Sequence, residues 1–389
     1  MNQPQIPPSP PASVYKEDYS VPSALKMFET GSFEEDEEQD NTVDYFLNKL
    51  RTARDNMGKR KGPATIWLRE NEPVDIIPPQ EYDLSNGIPT MSRSLADFEQ
   101  GIAILTGLPN SGKSTLMMNM ELQSLELNPD LICVDLSFDD PVEKRYQQWM
   151  AARTGLYYQD ISSDTDLAPN LVAKKEAAHA WLESMVQAER LHIYSAVDTF
   201  QGKDKSSIEV EFLKISNVMK LMSRMRRRYP DKPIAMFVDS WNDLDLQAGR
   251  TDSEVQAADA AAKRLKQKAE ATSIRLWISA HLRKTQGREP ALEDLKGSGY
   301  LAYAAVWVGI VRNEYRENSM NDPLMYQFGN KLVPMLTVRP GTKNKVSTWD
   351  MPLYYGFLAG QGTIIPLTRE EYEIARAESM GKVQARNNK

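Results

Sequence analysis

The chain has 389 residues, 41% apolar and 26% charged, near globular averages, so a sizeable core can form and two or three domains, or one large domain with extensions, are expected. The net charge of -7 is carried by residues 1–40, which hold nine acids and two bases, while the remainder is neutral as a group. This excludes a strongly basic nucleic-acid coat protein but not a local basic channel, and the single cysteine, Cys133, excludes an intrachain disulfide framework and a cysteine-based metal site.

Residues 1–41, rich in Pro, Ser and acids, hold too little apolar surface to offset ordering entropy, and a disordered tail is expected. The first residues lack the basic region and apolar segment of a secretory signal, and no apolar run approaches the roughly 18 residues of a membrane span. A cytoplasmic protein is therefore expected. Over 42–60, Val43, Phe46, Leu47 and Leu50 recur at helical spacing, and Asn41 can cap the start. Residues 61–87 carry Pro63, Pro73, Pro78 and Pro79 and read as a linker.

From residue 101, apolar strand-like runs alternate with helical segments. GIAILTG, DLICVDLS, LHIYSA, PIAMFVDS, IRLWISAH and AAVWVGIVR read as strands. SGKSTLMMNMELQSL, PVEKRYQQWMAARTG, 167–189, 207–228 and the Ala-rich 253–272 read as helices. Residues 333–355 read as a closing hairpin, and 361–389 as a helical extension of a domain spanning 88–360. The alternation predicts an α/β fold, a mainly parallel sheet covered by helices on both faces.

The strongest local signal lies between the first of these strands and the first helix. Gly107, Leu108, Pro109, Asn110, Ser111, Gly112, Lys113 and Ser114 match G-x-x-x-x-G-K-[ST] in full, and Thr115 follows. Glycines let backbone N–H groups wrap phosphates, and a helix N-terminus favours negative charge. Lys113 can reach β- and γ-phosphates, and the Ser114 hydroxyl can ligate Mg²⁺, so ATP and magnesium are the expected cofactors. A second magnesium ligand should end a buried strand, and Asp239 ends IAMFVD. Hydrolysis also needs a carboxylate to orient or deprotonate water. Asp139 is the candidate, with Asp140 next to it. Asp140 precedes Pro141 and also suits a helix cap.

The stretch from about 88 to 357 resembles the ATPase domain of the replicative hexameric ring helicases, the DnaB-like family with a RecA-type core. Ile88-Pro-Thr90 is similar to the family's entry to the domain, and LSFDDPVEKRYQQWMAARTGL at 136–156 to its catalytic-acid segment, with Asp139 where the family usually has Glu. Ile278-Ser-Ala-His281 resembles the strand ending in a polar sensor, His281 replacing the usual Gln. Residues 284–299 resemble the DNA-facing loop and the Asp-Leu-x-x-Ser-Gly signature, here Asp294, Leu295, Ser298 and Gly299. The acidic pair often found before the next strand is absent, and Ala304, Ala305 and Val306 stand there.

The resemblance implies an ATP-dependent DNA helicase, a homo-hexamer on single-stranded DNA, with a primase or helicase loader as further partners. It implies DNA contacts from Arg283, Lys284, Arg288 and Lys296, and a trans-acting cation on a late hairpin. Lys343 and Lys345 fit the spacing of that cation, and Arg339 competes for the role. It also implies that the 42–60 helix docks on an adjacent subunit. The run Arg224, Arg226, Arg227 and Arg228 reads mainly as a solvated helix end, favourable to the helix dipole. A recombinase filament or a regulatory ring scaffold on the same core are the alternatives.

Overall fold

The computed structural model describes residues 39–57, 101–162, 167–201, 207–246, 253–283, 292–295, 299–313, 325–328, 331–340 and 352–387. The expected disordered tail, the 61–87 linker and the Ile88-Pro-Thr90 entry lie outside them. Contacts divide the chain into Met1–Thr42 and Val43–Lys389, and the second unit holds all that follows.

Its centre is a mainly parallel sheet. Six strands run parallel: β1 (Gly101–Gly107), β2 (Ile132–Ser137), β3 (Leu191–Tyr194), β6 (Ile234–Asp239), β7 (Ile274–His281) and β8 (Trp307–Asn313). Between β3 and β6 lies a separate antiparallel pair, β4 (Val197–Gln201) and β5 (Ser207–Glu211). The antiparallel strands β9 (Met325–Phe328), β10 (Lys331–Pro340), β11 (Leu353–Leu358) and β12 (Thr363–Leu367) extend the sheet beyond β8. The order across the sheet is β12-β11-β10-β8-β1-β7-β6-β2-β3, with β9 on β10. Every residue of β1, β2, β6 and β8 is buried, as a strand covered on both faces requires.

The helices are α1 (Gln39–Met57), α2 (Lys113–Leu127), α3 (Val142–Thr154), α4 (Tyr158–Ser162), α5 (Pro169–Gln187), α6 (Ile215–Arg228), α7 (Glu254–Ala271), α8 (Gly299–Ala304) and α9 (Arg369–Asn387). In α6, Ile215, Val218, Leu221, Met222 and Met225 bury one stripe, the spacing of an amphipathic helix. In α7, a Ser253/Gln256 capping box starts a helix whose small Ala257, Ala258, Ala261 and Ala262 are buried. In α1, Phe46, Leu47, Leu50 and Ala53 join the main core. The Phe46 ring meets His192 and Tyr194 edge-on at 5.5 and 5.3 Å. Asp198 anchors the helix by accepting from Tyr45 Oη at 2.6 Å and Lys49 Nζ at 2.7 Å.

Three expectations need correction. Residues 207–211 are strand β5, not the start of a helix; Ile208 and Val210 alternate with polar neighbours, the period of a strand. Residues 363–367 are edge strand β12 before the terminal helix, and an edge tolerates Pro366, which lacks an N–H. The strand expected over AAVWVGIVR begins only at Trp307, because Gly299–Ala304 closes a helical turn.

Candidate nucleotide site

Four adjacent parallel strands end on one rim, in the order β1, β7, β6, β2. Register fixes what stands there. Gly107 of β1 pairs with His281 of β7, and Ser137 of β2 pairs with Asp239 of β6. The C-terminal rim of an open α/β sheet is where ligands bind.

The loop Gly107–Gly112 leaves β1 and enters α2 at Lys113. A Cβ on Gly107 would lie 2.3 Å from the Val311 carbonyl oxygen and 2.7 Å from Ser111 Oγ, so only glycine fits. Gly112 has φ +96°, and a Cβ there would lie 2.6 Å from a Leu336 methyl. Asn110 is also left-handed, at φ 61°. Lys113 is 4% exposed, and its Nζ donates to the carbonyls of Gly107 at 3.2 Å and Leu108 at 2.9 Å. Leu108, Pro109, Asn110 and Ser111 line the loop, and Ser114 and Thr115 follow, half-buried in the first turn of α2.

Asp239 is buried, and one of its oxygens accepts from Ser279 Oγ of β7. The Phe138 N–H donates to the Asp239 carbonyl at 2.8 Å, joining the acid loop after β2 to the end of β6. Asp139 is exposed beyond that joint. Asp140 is held back by α3, accepting from Lys144 and, at 3.0 Å, from Gln148 Nε2. It bonds side chains of the first turns rather than the backbone donors a cap would satisfy; the N-cap position is Pro141, with no side-chain cap.

His281 is half-buried and its N–H donates to Asn242 Oδ1 at 2.7 Å. Burial, and after it the Lys113 charge, lower its imidazole below the ordinary value, so the ring is neutral at pH 7. A cavity of about 760 Å³ adjoins the acid loop, bounded by Ser137, Asp139 and Glu143 on one side and by Tyr45, Lys49 and Thr52 of α1 on the other.

These residues fit a nucleoside triphosphate. The Gly107 cradle has no room for a side chain, and two buried polar atoms beside it, Ser111 Oγ and His281 Nδ1, have no protein partner among the described residues. Lys113 supplies a buried cation for phosphate oxygens. Among the described residues no group of three or more His, Cys, Asp or Glu can hold a metal alone. Ser114 and Asp239 therefore suit magnesium, which is usually held by one or two carboxylates together with substrate phosphates.

The remaining candidates lie elsewhere. Arg283 is exposed just after β7, and its N–H donates to the Asp294 carbonyl at 2.7 Å. With the Leu282–Leu295 bridge this pinches the base of the loop between them. Lys284, Arg288 and Lys296 lie outside the described residues, as do Lys343 and Lys345. Arg339 is half-buried on β10, opposite Ile310 of β8. The arginine run ending α6 is not merely solvated. Arg226 donates to five carbonyls, those of Thr272, Ser273, Tyr229, Pro230 and Lys232, and Arg228 pairs with Glu189 at 2.7 Å.

Sequence reading missed Asn242, Ser279 and Asp198. The first two face His281 and Asp239 across neighbouring strands, a relation that no local pattern carries.

No protein-family model and no curated protein matches the sequence. Solved structures do. The ATPase domain of one DnaB-like replicative helicase matches with a TM-score of 0.58 at 14% identity, over 73% of this chain and 90% of that one. A second DnaB-like replicative helicase, described with its interactions with primase, matches with a TM-score of 0.53 at 16% identity, over 69% of this chain and 57% of that one. The chain thus shares the fold of DnaB-like, RecA-type helicase ATPase domains and spans only about half of the second, longer helicase.

Proposed function

We propose that this protein is an ATP-hydrolysing DNA helicase of the DnaB-like kind, a homo-hexamer that moves on single-stranded DNA during replication. One observation carries the reading: a single strand-end rim gathers the Gly107–Ser114 loop, Asp239, Asp139 and His281. In this reading Lys113 and the N–H groups of the loop hold the triphosphate. Ser114 and Asp239 hold magnesium, which when bound neutralises phosphate charge. Asp139 orients and deprotonates the attacking water, and the exposure of its carboxyl leaves it reachable. The neutral His281 ring sits between this rim and Arg283, at the base of the loop taken to touch DNA. It can pass the state of the γ-phosphate to that loop through hydrogen bonds.

Arg283, Lys284, Arg288 and Lys296 would contact phosphates, so binding should weaken with salt. Arg339, Lys343 or Lys345 would complete a neighbour's site. The helix over 42–60, which here fills a groove on its own domain, would fill the same groove on the next subunit of a ring. A primase or a loader remains the expected further partner. The test is ATP turnover with magnesium, with and without single-stranded DNA. The reading requires DNA-stimulated turnover that vanishes in Lys113→Ala; turnover retained in that variant would remove the phosphate loop from the chemistry.

A further inference from the structure

The segments that carry the two halves of the site are tied together by a buried ionic cluster with no role in nucleotide contact. Arg145 of α3 is 1% exposed, and Glu121 of α2 and Asp135 of β2 are fully buried. The guanidinium forks onto Asp135, Nη2 to Oδ1 at 2.8 Å and Nε to Oδ2 at 3.1 Å. Nη2 also reaches Glu121 Oε2 at 3.3 Å, and Trp149 Nε1 donates to the same oxygen at 3.4 Å.

Each element leads to a different part of the rim. α2 starts at Lys113, β2 ends two residues before Asp139, and α3 follows Asp139 and Asp140 across Pro141. The acid loop is therefore strung between two fixed ends. One is Ser137, paired with Asp239; the other is the first turns of α3, which grip Asp140 through Lys144 and Gln148.

Buried ion clusters are a poor means of gaining stability, since apolar groups of equal volume often serve as well or better. What a planar fork on a carboxylate adds is direction, because both N–H···O bonds must be met at once. Burial pushes both carboxyls up, Glu121 the further because the Asp135 charge adds to it and because the Arg145 fork falls mainly on Asp135. The cluster then carries Arg145 and Asp135 charged and Glu121 protonated, with no net charge left buried.

We infer that Arg145 is a positioning residue for ATP hydrolysis: its fork on Asp135 and its bond to Glu121 set α3, and so Asp139, at a fixed place relative to the phosphate loop on α2. The inference rests on the assignment of hydrolysis to this site. A misplacement of about 1 Å in a reacting group can cost on the order of 100-fold in rate.

The experiment compares the full-length wild type, Arg145→Lys, and the charge-free triple variant Arg145→Met, Glu121→Met, Asp135→Val. Steady-state kcat and KM for ATP are normalised to the fraction of molecules that bind a fluorescent ATP analogue, and thermal unfolding is followed in parallel. The expected result is a kcat lowered about 10- to 100-fold in the triple variant, with KM within about threefold and unfolding no lower than wild type. Arg145→Lys keeps the charge without the fork and should fall between. A folded triple variant with wild-type kcat per binding site overturns the inference. Should the triple variant not fold, Arg145→Lys decides: wild-type kcat overturns the inference, and a reduced kcat at unchanged KM supports it. A wild type without ATP turnover, or turnover surviving in Lys113→Ala, would instead defeat the underlying assignment.

Discussion

His192 provides a pH-dependent handle on the seat of α1. It is 2% exposed on β3, with the Phe46 ring edge-on against it. Its Nε2 lies 3.0 Å from the Glu189 carbonyl and 3.1 Å from Tyr229 Oη. Burial first, and Arg228 next, lower its pKa from 6.5 to about 4, despite the opposing carbonyl and carboxylate of Glu189. The sign follows from proton binding. Between pH 6.5 and 4 the unfolded chain binds a proton at this ring and the folded chain does not, so stability is complete above pH 6.5 and falls as pH drops towards 4. A shift of this size corresponds to roughly 3 kcal/mol in full, of which about 2.5 kcal/mol is lost by pH 4.5.

His192→Gln keeps a donor near Glu189 and removes the titration. Urea unfolding followed by tryptophan fluorescence at pH 7.5 and 4.5 gives the loss for each protein. Groups common to both, Glu189 and Arg228 among them, largely cancel in the difference. The wild type should lose about 2.5 kcal/mol more than the variant between these pH values. Equal losses would refute the claim that His192 is buried neutral beneath α1.

Asp139→Asn should keep ATP binding and depress hydrolysis by orders of magnitude, read by single-turnover release of phosphate; a near-normal rate would move the water-activating role elsewhere. Gly107→Ala should abolish binding of a fluorescent ATP analogue, because the added Cβ meets the Val311 carbonyl at 2.3 Å; binding unchanged from wild type would show that the cradle is looser than its geometry. Deleting residues 42–60 should turn rings into monomers on a sizing column, and an unchanged ring would sink the idea that this helix bridges subunits.

The phosphate loop is legible in the sequence because its chemistry is local: eight consecutive residues carry the turn, the amide cradle and the lysine. The buried parallel strands are legible for a similar reason, as each is a short apolar run between turn signals. Where local patterns overlap, reading fails. The strong helical stripe from Ile215 to Met225 hid the two-residue alternation of Ile208 and Val210 just before it. Thr363–Leu367 reads as strand only once an open edge beside β11 is known. Arg145 looks in the sequence like any charge on a helix; only the fold brings it to Glu121 and Asp135, 24 and 10 residues away. The visible cue was Asp135 itself, a carboxylate in the middle of an otherwise apolar strand, which must have a partner.

Strand separation of a forked DNA duplex with free single-stranded tails, supplied with ATP and magnesium, tests the central claim most directly. The account predicts unwinding by the wild type and none by Lys113→Ala. DNA-stimulated ATP hydrolysis that proceeds at full rate while the fork stays paired would contradict it.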